Sequence, residues 1–173
     1  EVADKARFGL MVPFSYPKGN TDYRKNLYIM YNNGVAPASQ AEWDALYEKV
    51  HHLLQSDTRE IGKAMGNNCQ FYVNVGLAIY NARQDKHLSQ SGYKLQRSQN
   101  NTHLSEGLAM YIASLAYAYT LLDIKQEDVK FYPKYSKDVQ LTGDRGTTDI
   151  ITVENTPALA KKARKVAWKA CKR

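Results

Sequence analysis

The sequence predicts a mainly α protein, a single-domain helical bundle with a small β-hairpin near residues 138–154. Three features carry that prediction. Ser39 followed by Glu42 is a capping box that opens a long run of apolar residues at helical spacing. Leu108 to Leu122 is the most apolar stretch of the chain and ends at Asp123, short of the roughly 20 residues a membrane span needs, so it reads as a buried helix. Val139-Gln140-Leu141 and Ile150-Ile151-Thr152-Val153 flank Gly143-Asp144-Arg145-Gly146, two strand-like segments around a turn.

From the N-terminus, residues 1–20 hold Gly9, Pro13, Pro17 and Gly19 among Phe8, Leu10, Phe14 and Tyr16, the composition of an extended arm. Thr21 can cap a short helix carrying Tyr23, Leu27, Met30 and Tyr31, and Asn33-Gly34 supplies a left-handed stop; a strand over Leu27 to Tyr31 is the competing reading. In the run after Ser39, Trp43, Leu46, Val50, Leu53 and Leu54 share one face, and a second box, Asp57 with Glu60, carries the helix toward Met65 until Gly66-Asn67-Asn68 ends it. Cys69 to Arg83 reads as a further, largely buried helix with Tyr72, Val75, Ile79 and Ala82 at helical intervals. Gln84 to Thr102 is polar and fits a surface helix or a long connection. Ser105-Glu106 starts the apolar helix, and Thr156-Pro157, a capping residue before proline at the first helical position, launches the last one. The organisation that follows is an arm over 1–20, a helical domain over 21–160 and a basic C-terminal helix segment over 161–173.

A chain of 173 residues fits one domain able to bury about 70% of its unfolded surface. Its 43% hydrophobic and 24% charged residues exclude wholesale disorder. The net charge of +7 has one source: Lys161, Lys162, Arg164, Lys165, Lys169, Lys172 and Arg173 follow the last acid, Glu154, and residues 1–160 balance 17 bases against 17 acids. A basic isoelectric point therefore describes one terminal segment. On a helical projection Leu159, Ala163, Val166 and Ala170 form a narrow apolar seam, with Trp168 opposite it among the bases. A seam made mostly of alanine suits docking onto protein better than insertion into lipid, and leaves the seven bases as a polyanion-binding set.

Cys69 and Cys171 could pair in an oxidising compartment, clamping the last helix onto a central segment and closing a loop of about 100 residues worth up to ~4.7 kcal/mol. The alternative is two separate thiols. A start at Glu1 without Met fits a processed secreted or periplasmic protein as well as a trimmed chain, so the compartment stays open. Asn100-Asn101-Thr102 is a sequon with meaning only in a eukaryotic secretory context.

Catalytic signatures are thin. Glu48 and His51 have the Glu-x-x-His spacing of a carboxylate-bridged metal site, with His103 the remaining candidate ligand, but a di-iron site needs that motif twice. The four histidines form no His-x-His or His-Glu-x-x-His pair, Cys69 has no histidine beside it, and no Gly-x-Ser-x-Gly occurs. Gly143 to Gly146 matches a bare GxxG, but between extended segments rather than helices. No phosphate-binding glycine loop occurs, and no cofactor or catalytic residue is assigned.

Thirteen tyrosines against four phenylalanines point toward a protein-binding face, since tyrosine offers contact area with a polar tip. The expected function is accordingly non-enzymatic: an interaction or structural protein that binds a protein partner through a Tyr-rich helical surface. The alternative is a nucleic-acid or polyanion binder working through Lys161 to Arg173, in which case truncation after Leu159 should abolish binding. A metal-dependent hydrolase using Glu48, His51 and His103 is the third reading.

Overall fold

The computed structural model describes residues 7–15, 25–90, 95–96, 103–142 and 148–172, with the backbone alone for 25–27, 135–142 and 148–154. The Thr21 cap, the 100–102 sequon, the 143–146 loop and Arg173 lie outside the described residues. Elements run β1 (Gly9–Met11), α1 (Lys25–Met30), α2 (Gln40–Met65), β2 (Phe71–Val73), α3 (Val75–Gln84), α4 (Leu108–Leu121), β3 (Tyr135–Thr142), β4 (Thr148–Asn155) and α5 (Pro157–Cys171). The fold is mainly α, as the periodicity requires. β3 and β4 pair antiparallel from Tyr135↔Asn155 to Thr142↔Thr148, which is the expected hairpin.

Local signals placed several ends well. The Ser39 hydroxyl accepts from the Glu42 amide, capping α2, and Glu42 Oε2 reaches back past the cap to accept from the Ala38 amide. Asn33 and Gly34 both take positive φ after α1, and Gly66 does so after α2. At α5 the Thr156 hydroxyl accepts from the Leu159 amide, with Pro157 at the first helical position.

Two segments depart from the sequence reading. Residues 71–73 are not the start of a helix: β2 pairs parallel with β1, Gly9 opposite Phe71 and Met11 opposite Val73. The aromatic and β-branched run Phe71-Tyr72-Val73 takes the extended form once a second strand is available to it, and α3 begins only after Asn74. Residues 9–12 of the N-terminal arm are thus tied in, and Val12 is fully buried. Immediately beyond, the Gly76 amide donates to the Val12 carbonyl at 2.8 Å, and a Cβ on Gly76 would collide with the Pro13 carbonyl. The polar stretch after α3 is anchored as well, because Leu88, Leu95 and Gln96 have no exposed surface and Gln96 bridges Leu104.

The core is a three-helix contact. α5 lies against both α3 and α4 and gives Ala160, Ala163, Ala167 and Ala170 to it, all completely buried, opposite Ala78, Ile79 and Ala82 of α3 and Leu108, Ile112, Leu115 and Ala116 of α4. The seam is therefore 160, 163, 167, 170, turned from the projected 159, 163, 166, 170. Leu159 and Val166 pack at its border, half-buried. Trp168, expected on the far side among the bases, instead meets Tyr119 edge to face at 5.1 Å, because α4 reaches around that flank of the helix. A smaller cluster of Tyr28, Leu46, Tyr47 and Val50 holds α1 to α2.

No Cys69–Cys171 bond exists; both thiols are free. The Cys171 thiol points to the Ala116 carbonyl at 3.6 Å, and burial pushes its pKa up, while the Cys69 thiol points to the Phe71 carbonyl at 3.8 Å. The clamp expected of a disulfide is supplied by a hydrogen bond: buried Asn74, at the head of α3, donates to the Ala170 carbonyl at 3.0 Å.

Two outcomes follow from this packing. Ala167→Leu should lower the unfolding free energy by roughly 1–3 kcal/mol or more through overpacking, read as a lower midpoint in urea denaturation. Adding a reductant should leave the thermal midpoint unchanged, and thiol titration of the unfolded chain should find both cysteines; a reductant-sensitive midpoint would contradict the free thiols.

Candidate functional site

Because α5 turns its alanines inward, its lysines are dealt out to fixed sides. Lys161, Lys165, Lys169 and Lys172 are exposed, a row about 16 Å long at 1.5 Å per residue. Lys172 Nζ also lies over the Trp168 ring, 4.4 Å from its centroid, so the tryptophan steadies one end of the row. Two members of the expected basic set do other work. Arg164 donates to the Tyr111 hydroxyl at 3.4 Å, and that hydroxyl donates to the Phe131 carbonyl at 2.8 Å, joining α5, α4 and the segment before β3. Lys162 pairs with Asp85 at 3.4 Å.

Asp85 sits just past the end of α3, where its carboxylate accepts the His87 and Leu88 amides at 2.8 and 3.2 Å. Burial pushes its pKa up, but these amides and Lys162 outweigh that and hold the carboxyl below its ordinary value. Between α3 and α5 lies a groove of about 590 Å³ lined by Lys162, Lys165 and Lys169 on one wall and Asn81, Gln84 and Asp85 on the other. Sequence reading missed the α3 wall. Its only local signal was Asp85 placed two and three residues before the amides it caps.

The Glu48–His51 pair does come together, with a different partner. The Tyr80 hydroxyl of α3 donates to Glu48 Oε2 at 2.9 Å, and the Tyr80 ring stacks on His51 with centroids 3.9 Å apart and planes within 6°. His51 is buried and its Nδ1 has no hydrogen-bond partner. Desolvation first, and then the neighbouring His52, lower its pKa to about 4, against the pull of Glu48. The Arg83 guanidinium is buried nearby, donates to the Ser15 carbonyl, and has its pKa lowered to about 10 by burial, so it stays charged at neutral pH. His103 does not complete a metal site: among the described residues no three His, Cys, Asp or Glu side chains gather. The Glu-x-x-His spacing here serves the α2–α3 contact, with His51 lying flat on a tyrosine.

Of the nine tyrosines whose side chains are described, seven are buried or half-buried. Tyr28, Tyr47, Tyr111 and Tyr119 are buried, Tyr72, Tyr80 and Tyr132 half-buried, and Tyr31 and Tyr117 exposed. What α4 shows to solvent is a largely apolar row, Met110, Tyr117 and Leu121 with Ser114 among them, beside Leu122 and Phe131, the last 74% exposed. A groove of about 430 Å³ runs along it between Met110, Ser114, Ala118, Phe131 and Pro133. No described helix is long and apolar enough to cross a membrane.

No family model matches this chain, and neither a curated protein nor a solved structure matches it.

The buried histidine sets a pH dependence. With a folded-state pKa of about 4 against 6.5 unfolded, the unfolded chain takes up a proton that the native one refuses. Its contribution to stability is complete above pH 6.5, declines as the pH falls from 6.5 to 4, and is flat below, a loss of up to about 3 kcal/mol at 1.36 kcal/mol per pH unit. His51→Phe keeps the stack and removes the proton site, so the difference in stability between variant and wild type should grow in favour of the variant over that window. Parallel pH profiles from urea denaturation would contradict the assignment.

Proposed function

We propose that the protein binds polyanions, nucleic acid foremost, through the outer face of α5. One observation carries this reading: the alanine seam commits the opposite side of a capped, packed helix to four exposed lysines in a row. Lysines on a rigid helix lose little backbone freedom when they meet a chain of phosphates, and each contact releases counterions. The docked seam and the balanced charge of residues 1–160 favour a surface acting locally over a diffuse attraction by the whole molecule.

Truncation is a poor probe of this face, since removing α5 removes four fully buried core residues with it. Point changes separate binding from folding. For a short DNA duplex or single strand, log affinity should fall against log salt with a slope of about −3 to −4 if all four lysines engage phosphates. Changing Lys161, Lys165, Lys169 and Lys172 together to alanine should flatten that slope and weaken binding at least a hundredfold at low salt, with the circular dichroism spectrum unchanged. Affinity that ignores the four changes would remove the reading.

A second reading rests on a separate observation, the apolar row of α4 with its groove beside Phe131. A largely apolar helix face of this kind suits the apolar face of a partner helix. A photo-cross-linker in place of Tyr117 should then label one partner, and Met110→Glu with Leu121→Glu should abolish the label. Labelling no stronger than from the exposed position Arg59 would count against it.

A further inference from the structure

We infer that the groove between α3 and α5 is a site for a compact small molecule carrying two or more phosphate groups, an inference that rests on the polyanion reading of α5 and narrows it to one pocket. The volume, about 590 Å³, lies within the range of small-molecule sites. It shares Lys165 and Lys169 with the exposed row and adds Lys162 and a polar wall from α3. Lys162, Lys165 and Lys169 converge on it from α5, while Asn81 and Gln84 face them from α3 with amides that can both donate and accept. Lys161 and Lys172 do not line it.

The charge is arranged for anions rather than merely being positive. Three ammonium groups face one carboxylate, and that carboxylate is already engaged: Asp85 accepts two backbone amides through one oxygen and Lys162 through the other. Fixed in this way, Asp85 holds Lys162 against the groove beside Lys165 and Lys169, so that all three can meet one ligand. Lys162 to Lys169 covers about 10 Å of helix, wider than one phosphate spans, so two or more phosphates are needed to engage all three lysines. The amides of Asn81 and Gln84, opposite, suit hydroxyl or ring-nitrogen groups of the same ligand. A sugar phosphate, an inositol polyphosphate or a nucleotide has this composition; a bare run of phosphates leaves the α3 wall unused.

Titration calorimetry on the full chain with inositol hexakisphosphate as probe tests this, with a short single-stranded DNA as comparison. One molecule should bind per chain. Lys162→Ala with Asn81→Leu should weaken that binding at least tenfold, and Lys165→Ala, an exposed side chain, should give a loss in the same direction, which guards against a folding effect of the first pair. Lys125→Ala with Lys130→Ala, exposed lysines away from the groove, should change it less than twofold. Equal losses from the two pairs, or several molecules bound per chain, would overturn the pocket in favour of diffuse attraction. No binding of inositol hexakisphosphate at about 1 mM, where even a ligand of −4.1 kcal/mol half-fills its site, with DNA still bound, would sink the pocket and leave the polyanion face standing. Failure of both probes would sink both.

Discussion

The contact on which the rest of this structure depends is the alanine seam of α5. Ala160, Ala163, Ala167 and Ala170 are wholly buried against α3 and α4. Residues this small let three backbones approach closely, so dispersion contacts are dense and no large side chain has to be accommodated at the crossing. The same smallness makes the interface weak per residue in buried area, which is why its edges carry larger groups: Leu159 and Val166 on one side, Trp168 against Tyr119 on the other.

Hydrogen bonds then fix the position along the helix that a smooth alanine surface leaves free. Asn74 at the head of α3 holds the Ala170 carbonyl, close to the C-terminus of α5. Nearer its N-terminus, Arg164, the Tyr111 hydroxyl and the Phe131 carbonyl form a chain from α5 through α4 to the segment before the hairpin. Asn155 completes this end by donating to the Pro133 carbonyl at 3.0 Å. Each of these pairs satisfies a polar group that would otherwise be desolvated at a cost of about 1–3 kcal/mol, so sliding α5 by one residue is disfavoured several times over.

Once the seam is seated, function is a matter of what points away from it. On the outer side stand Lys161, Lys165, Lys169 and Lys172, of which Lys165 and Lys169 also line the groove toward α3 with Lys162. On the α4 side stand Met110, Tyr117 and Leu121. The two surfaces differ in chemistry because α4 is apolar on most of its circumference while α5 is apolar on one narrow strip only. The Glu48–His51–Tyr80 contact belongs to neither surface. It closes α2 onto α3, and burial under the tyrosine ring keeps its histidine neutral at neutral pH.

The sequence by itself determined the mainly α class, the caps of α2 and α5, the left-handed stop after α1, the hairpin and the clustering of charge after Glu154. All of these are written within a few neighbouring residues: a serine and a glutamate three apart, a threonine before a proline, an Asn-Gly pair. Only the tertiary structure decided the rest. It made Phe71-Tyr72-Val73 a strand, because Gly9-Leu10-Met11, far earlier in the chain, was there to pair with it. It turned the α5 seam by one position and covered Trp168, because two neighbouring helices, not one, define the buried side. It put Tyr80 on His51 and Asn81 in one groove with Lys165, and kept Cys69 from Cys171. Such juxtapositions are set by contacts between residues far apart in the chain, and the energies that select them exist only after the helices have met.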